Sequence, residues 1–248
     1  MPKPPPLPPS ARKVFWLAVL SLTAYGACRA FFGTLLPSTA ASNLPPQNLA
    51  VLSGSLSCAL FLYWLGRLRY NGPTLRNLPG SWIAGSVAGL GLATAATFLQ
   101  WHRLATDLDP KTALPRAAGL VVALSVASCE EFGFRGVLFL SAKEMTGKRR
   151  NGLALVVGSL GFALVHAGYQ TPWNLAFAAA AGLALGVARL RGASLGLLVA
   201  AHTLMDAVDP LWLSPSLTLG YWPGISAAVA ALGTALILWS LPAPESGS

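Results

Sequence analysis

The stretch Ser128-Cys-Glu-Glu-Phe-Gly-Phe-Arg135 places two glutamates and an arginine inside an apolar run, Arg116 to Ala142, long enough to cross a bilayer. A transmembrane helix needs roughly 20 predominantly apolar residues. A charge near the middle of such a helix costs about 2.5 to 3.5 kcal/mol on insertion scales, so charges there are few and paired. The spacing supplies a pairing: Glu131 and Arg135 are four apart and share one helical face. Glu130 is turned from them by about 100° and has no cation at helical spacing, which suits it to act as a general base.

The rest of the chain reads in the same way. Further apolar stretches run Val14 to Leu36, Asn48 to Gly66, Ser81 to Gln100, Gly152 to Gln170, Trp173 to Leu190, Ser194 to Val208 and Gly220 to Leu241. The sequence therefore predicts an all-α, polytopic membrane protein, a bundle of about eight transmembrane helices. Composition agrees, because only 10% of residues are charged and mean hydropathy is +0.58, whereas soluble domains carry about 25% charged residues. The expected organisation is a Pro-rich cytoplasmic tail over 1–13 and one transmembrane domain over 14–241 with its core at about 116–208. A short C-terminal tail follows over 242–248.

The formal charge of +9 does not indicate a nucleic-acid partner, because the basic residues form short clusters between apolar runs rather than one polar face. Lys3, Arg12 and Lys13, then Arg67, Arg69 and Arg76, then Lys143, Lys148, Arg149 and Arg150, then Arg189 and Arg191 fall on alternate connections. By the positive-inside rule these connections, and both termini, are expected to be cytoplasmic. Trp64, Trp82, Trp101, Trp173, Trp222 and Trp239 lie near span ends, where an interfacial aromatic belt belongs. Gly85 with Gly89, Gly182 with Gly186, and Gly192 with Gly196 repeat small residues at the four-residue spacing that lets helix backbones approach. Cys28, Cys58 and Cys129 lie in apolar segments without CxxC spacing and read as packing residues, not as a disulfide framework.

Two further segments place polar residues inside the apolar runs: Phe162-Ala-Leu-Val-His166 and His202-Thr-Leu-Met-Asp206. His202 and Asp206 are four apart, so Asp206 can fix the imidazole tautomer or bond to a substrate. Phe162 shares a face with His166 and can shape or shield it.

These residues carry a resemblance. EExxxR at Glu130 to Arg135, FxxxH at Phe162 to His166 and HxxxD at His202 to Asp206 resemble, in order and on separate helices, the motifs of the CAAX protease and bacteriocin-processing membrane family. That family includes the type II CAAX prenyl endopeptidases. The resemblance covers about Arg116 to Val208. It implies an intramembrane endopeptidase acting on a membrane-associated protein or peptide: a lipidated C-terminus, a bacteriocin precursor or a C-terminal sorting tail. The implied location is the inner (plasma) membrane of a bacterium.

Carried over, the pattern makes Glu130 the base that activates water, with His166 assisting. His202 and Asp206 position the substrate or stabilise the oxyanion, and Glu131, Arg135 and Phe162 support the site. The third motif often has Asn where this chain has Asp206, and an ionised Asp cannot donate to an oxyanion. Metal-free glutamate chemistry is the favoured expectation, with zinc on Glu130, His166 and His202 as the alternative. A proton- or ion-coupled transporter and a non-catalytic immunity protein are the competing readings, since buried Glu, His and Asp also build proton relays.

Overall fold

A computed structural model describes residues 9–35, 46–70, 81–100, 113–146, 151–167, 172–208 and 221–242. The described residues form helices and the turns between them, with no strand. In chain order the helices are α1 (Ala11–Leu35), α2 (Pro46–Tyr70), α3 (Ser81–Gln100) and α4 (Ala113–Glu131), then a π-helical turn (Phe132–Leu138) and α5 (Phe139–Thr146). After these come α6 (Asn151–Leu164), α7 (Pro172–Leu190), α8 (Leu195–Val208) and α9 (Tyr221–Ser240).

Each of the eight apolar stretches contains a helix, as lipid demands of a backbone that must satisfy its own N–H and C=O groups. Val51–Tyr70, Pro172–Leu190 and Trp222–Ser240 are long and apolar enough to cross a membrane by length and composition. Shorter apolar helices cover Trp82–Thr97, Asn151–Leu164 and Leu195–Ala207. Large apolar side chains such as Leu60, Leu90, Leu164 and Leu236 face outward, the pattern of an integral membrane protein. Trp64, Trp82, Trp173, Trp222 and Trp239 are also outward-facing, while Trp101 lies outside the described residues.

Two stretches depart from the plain helices expected. Arg116 to Ala142 is not one regular helix, because Phe132–Leu138 forms a wide turn in which the Phe139 N–H donates to Phe134 O, five residues back. Gly133 sits in this turn against α1: a Cβ there would meet Leu22 Cδ2 at 2.6 Å. The stretch Gly152 to Gln170 ends as a helix at Leu164, so His166 lies in the turn that follows. The cause is local. The His166 N–H bonds Ala163 O at 3.0 Å, and the His166 Nδ1 takes the Phe162 carbonyl at 2.7 Å, replacing the amide that would have continued the helix.

Sequence also explains how α7 hands over to α8. Gly192 has φ 91°, a conformation natural to glycine. The Ala193 N–H reaches Ala188 O and the Gly192 N–H reaches Arg189 O, the double bond of a Schellman stop. Ser194 then caps α8, its Oγ accepting from the Leu197 N–H at 3.2 Å.

Small residues set the helix contacts. A Cβ on Gly182 would lie 3.1 Å from Ser159 Cα, and one on Gly186 would lie 2.7 Å from Leu155 Cδ2, so α6 and α7 pack closely and antiparallel. Gly85 and Gly89 bring α3 close to α8 in a parallel pair, facing Leu197 and Ala201. The Gly192 and Gly196 pair is a correction: Gly192 is the turn residue, and Gly196 is exposed, with only Ser194 Oγ nearby at 3.9 Å. Helix α2 runs parallel to α4 and its continuation, joined by Ser55 Oγ to Ser125 Oγ (2.7 Å), the Tyr63 and Phe132 rings (5.9 Å), and Tyr70 OH to Ser141 Oγ (2.9 Å). An Arg69–Glu144 ion pair closes that seam.

Candidate active site

All seven residues singled out in the sequence are buried and converge where α4, the π-helical turn, α6 and α8 meet. Glu130 and Glu131 end α4, and Arg135 follows inside the π turn. Arg135 is 2% exposed. Its Nη1 donates to Glu131 Oε1 at 2.7 Å and its Nη2 to the Gly182 carbonyl at 3.0 Å, so one guanidinium ties the turn to α7. Hydrogen bonds of this charge-assisted kind are roughly twice as strong as neutral ones. Gly182 had been expected only as a packing residue; the same absence of a side chain leaves its carbonyl open to Arg135.

Glu131 also receives His202. The imidazole Nδ1 lies 2.9 Å from Glu131 Oε1, and a carboxylate only accepts, so Nδ1 carries the proton. This corrects the expectation that Asp206 holds the tautomer: Asp206 Oδ2 lies on the other side of the ring, 3.5 Å from Nε2. Helical spacing brought Asp206 near His202, but the orienting carboxylate comes from a helix 71 residues away.

His166 is fixed by the same logic. Its Nδ1 donates to the Phe162 carbonyl, leaving Nε2 to face inward. The two Nε2 atoms address one oxygen: Glu130 Oε2 is 3.9 Å from that of His166 and 3.8 Å from that of His202. These separations exceed direct hydrogen bonds, and they are the spans that one bridging atom about 2.8 Å from each group would fill.

Phe162 forms the wall. Its ring centre lies 5.0 Å from the His166 ring, 5.4 Å from His202 and 5.7 Å from Phe134, and the Arg135 guanidinium stands 4.6 Å over it. A cation over an aromatic face in a desolvated place contributes up to about 2 kcal/mol. The ring thus separates the Arg135 and Glu131 pair from the His166 imidazole while steadying both.

The donor chemistry of Glu130, His166 and His202 suits a metal such as zinc, and each imidazole has the Nδ1 partner that orients metal-binding histidines. Among the described residues, however, no three His, Cys, Asp or Glu side chains are arranged to hold a metal ion.

This geometry coincides with a match to known proteins. Residues 112–208 match the family described as Rce1-like, type II CAAX prenyl endopeptidase Rce1-like. That segment is similar to the Rce1-like family. It holds every site residue named above, from Glu130 to Asp206. No curated protein and no solved structure matches the chain. At the level of the family, the match supports a CAAX-type membrane protease that acts on a peptide or protein at the membrane.

Proposed function

We propose that this chain hydrolyses a peptide bond with a water activated by Glu130. The observation that carries the reading is the placement of Glu130 Oε2 at 3.8 to 3.9 Å from two inward-facing imidazole nitrogens. A water among these three atoms gives a proton to Glu130 as its oxygen attacks the scissile carbonyl. Glu130 then passes that proton to the departing amine, which leaves as the carbonyl reforms. His166 orients the water. His202 faces the reacting space through Nε2 only, because Glu131 holds Nδ1; Nε2 donates to the developing oxyanion when the ring is protonated. Asp206 positions His202 from the Nε2 side, and Arg135 keeps Glu131 in place for the same purpose.

The chemistry proposed is glutamate-based, with no resident metal. Exhaustive dialysis against a chelator leaves activity unchanged on this reading. Loss of activity that added Zn²⁺ restores would transfer the role of Glu130, His166 and His202 to metal binding.

The substrate class proposed is a membrane-associated precursor: a lipidated C-terminus, a bacteriocin-type peptide or a sorting tail. The test is comparative membrane proteomics of cells carrying wild type or Glu130→Gln. Removing a general base costs about 10² to 10⁴ in rate, so an unprocessed precursor should accumulate in the variant while the protein is present at normal level. Unchanged processing by Glu130→Gln would overturn the mechanism.

The proposed orientation puts both termini in the cytoplasm. It is supported by the meeting of basic ends: Arg69 pairs with Glu144 across α2 and α5, and Arg191 stands 5.4 Å over the Trp239 ring where α7 and α9 end. Reporter fusions to each terminus test it, and an extracytoplasmic signal from either would reject it.

A further inference from the structure

The α2 and α4 seam contains a pair of thiols that the catalytic mechanism does not use. Cys129 immediately precedes Glu130 and is fully buried; Cys58 on α2 is partly buried; neither is in a disulfide. Their juxtaposition follows from the register of the two parallel helices. Ser55 meets Ser125 and Tyr70 meets Ser141 at sequence separations of 70 and 71, which sets Cys58 opposite Cys129. Cys58 packs against the buried cluster that contains Cys129. The flanking Ser55–Ser125 bond and the Tyr63 and Phe132 ring contact hold the seam on either side.

We propose that Cys58 and Cys129 are an oxidisable dithiol, a modification site whose disulfide draws α4 toward α2 and withdraws Glu130 from His166 and His202. The partner it takes is a small lipophilic two-electron oxidant, of the disulfide or quinone class, that reaches the seam through the bilayer. With a disulfide reagent, the thiolate of one cysteine attacks the reagent's S–S bond and releases one thiol-derived leaving group. The thiolate of the other cysteine then attacks the mixed disulfide and releases the second. Two protons are lost from the protein, its sulfurs are oxidised to one S–S bond, and the reagent is reduced to two thiols.

The geometric consequence is specific. A disulfide holds its two sulfurs at about 2.05 Å. In a seam packed this closely, forming that bond pulls the turn bearing Cys129 toward α2. Glu130 is the next residue, and a misplacement of about 1 Å at a reacting group costs on the order of a hundredfold in rate.

The test uses the full chain in its membrane with the exposed third thiol removed as Cys28→Ser. Treatment with dithiodipyridine should release two thiopyridones per chain, lower the intact mass by two hydrogens and yield one cross-linked Cys58–Cys129 peptide in a non-reduced digest. Peptide hydrolysis should fall tenfold to hundredfold and return with a reductant. Cys58→Ser and Cys129→Ser should each escape that loss. Reagent adducts on both sulfurs instead of a cross-link, silent thiols in the folded chain, or a disulfide with undiminished activity would each overturn the proposal. The activity arm rests on the protease reading, whereas cross-linking does not: Glu130→Gln should still form the disulfide, so the two ideas fail separately.

Discussion

Replacing Arg135 with methionine tests the framework of the site, because Met matches its apolar stem while removing every donor. The native guanidinium makes two hydrogen bonds, to Glu131 and to the Gly182 carbonyl, and covers the Phe162 ring. Truncating one member of a buried ion pair typically costs about 3 to 5 kcal/mol, because the surviving charge is left buried without its partner. The cation over Phe162 is part of the same loss and is not added to it. For a chain of this size, each kcal/mol lowers the melting temperature by about 2 to 4 °C, so Arg135→Met should melt about 6 to 20 °C lower in detergent or nanodiscs. Arg135→Lys keeps the charge but cannot span Glu131 and Gly182 together, and should fall between. The double variant Glu131→Gln with Arg135→Met removes both charges and should recover part of the loss. An Arg135→Met protein melting within about 2 °C of wild type would refute the claim that this pair organises the site.

Further predictions concern packing and the carboxylates. Gly182→Ala places a methyl group 3.1 Å from Ser159 Cα and 3.3 Å from its carbonyl oxygen, contacts with backbone that cannot rotate away. It should lose about 1 to 3 kcal/mol and reduce activity by displacing the carbonyl that Arg135 grips; thermal melts and peptide hydrolysis check both. Gly54→Ala, with no atom within 4 Å of the added methyl, should instead stabilise α2 by up to about 1 kcal/mol, and a lower melting temperature would contradict that reading. Asp206→Asn should retain hydrolysis within about tenfold, since the hydrogen bond that fixes the His202 ring comes from Glu131 and Asp206 only assists from 3.5 Å; a loss as deep as that of a general base, about 10² or more, would return Asp206 to the reacting centre.

The parts of this protein visible in its sequence are those governed by local periodicity. Glu131 with Arg135 and His202 with Asp206 lie one turn apart, and both pairs meet in space. The glycines at 85 and 89 and at 182 and 186 mark close helix contacts because small-residue spacing has a direct steric meaning in lipid. What was hidden depends on tertiary choices. Which carboxylate takes His202 Nδ1 is decided by how α4 docks on α8. The turn at His166 arises because a side chain competes for the Phe162 carbonyl, a contest that the pattern of apolar residues cannot register. Gly192 and Gly196 show the converse error: the spacing was right for packing, but a positive φ assigns Gly192 to a helix stop.

The π-helical turn at Phe132–Leu138 also carries a consequence for sequence length. A wide turn holds more residues than the 3.6 of an α turn, and each residue advances an α-helix by about 100°. Helix α5 is therefore out of phase with α4, and in that phase Ser141 meets Tyr70 and Glu144 meets Arg69. A one-residue deletion within 136–138 would let the turn relax to α geometry while leaving Glu130, Glu131 and Arg135 in place. The same deletion within 126–128 would instead rotate one side of α4 against the other, breaking either the Ser55–Ser125 bond or the approach of Glu131 to His202. The chain thus contains one position along this helix where its length is adjustable, directly beneath the residues whose spacing is not.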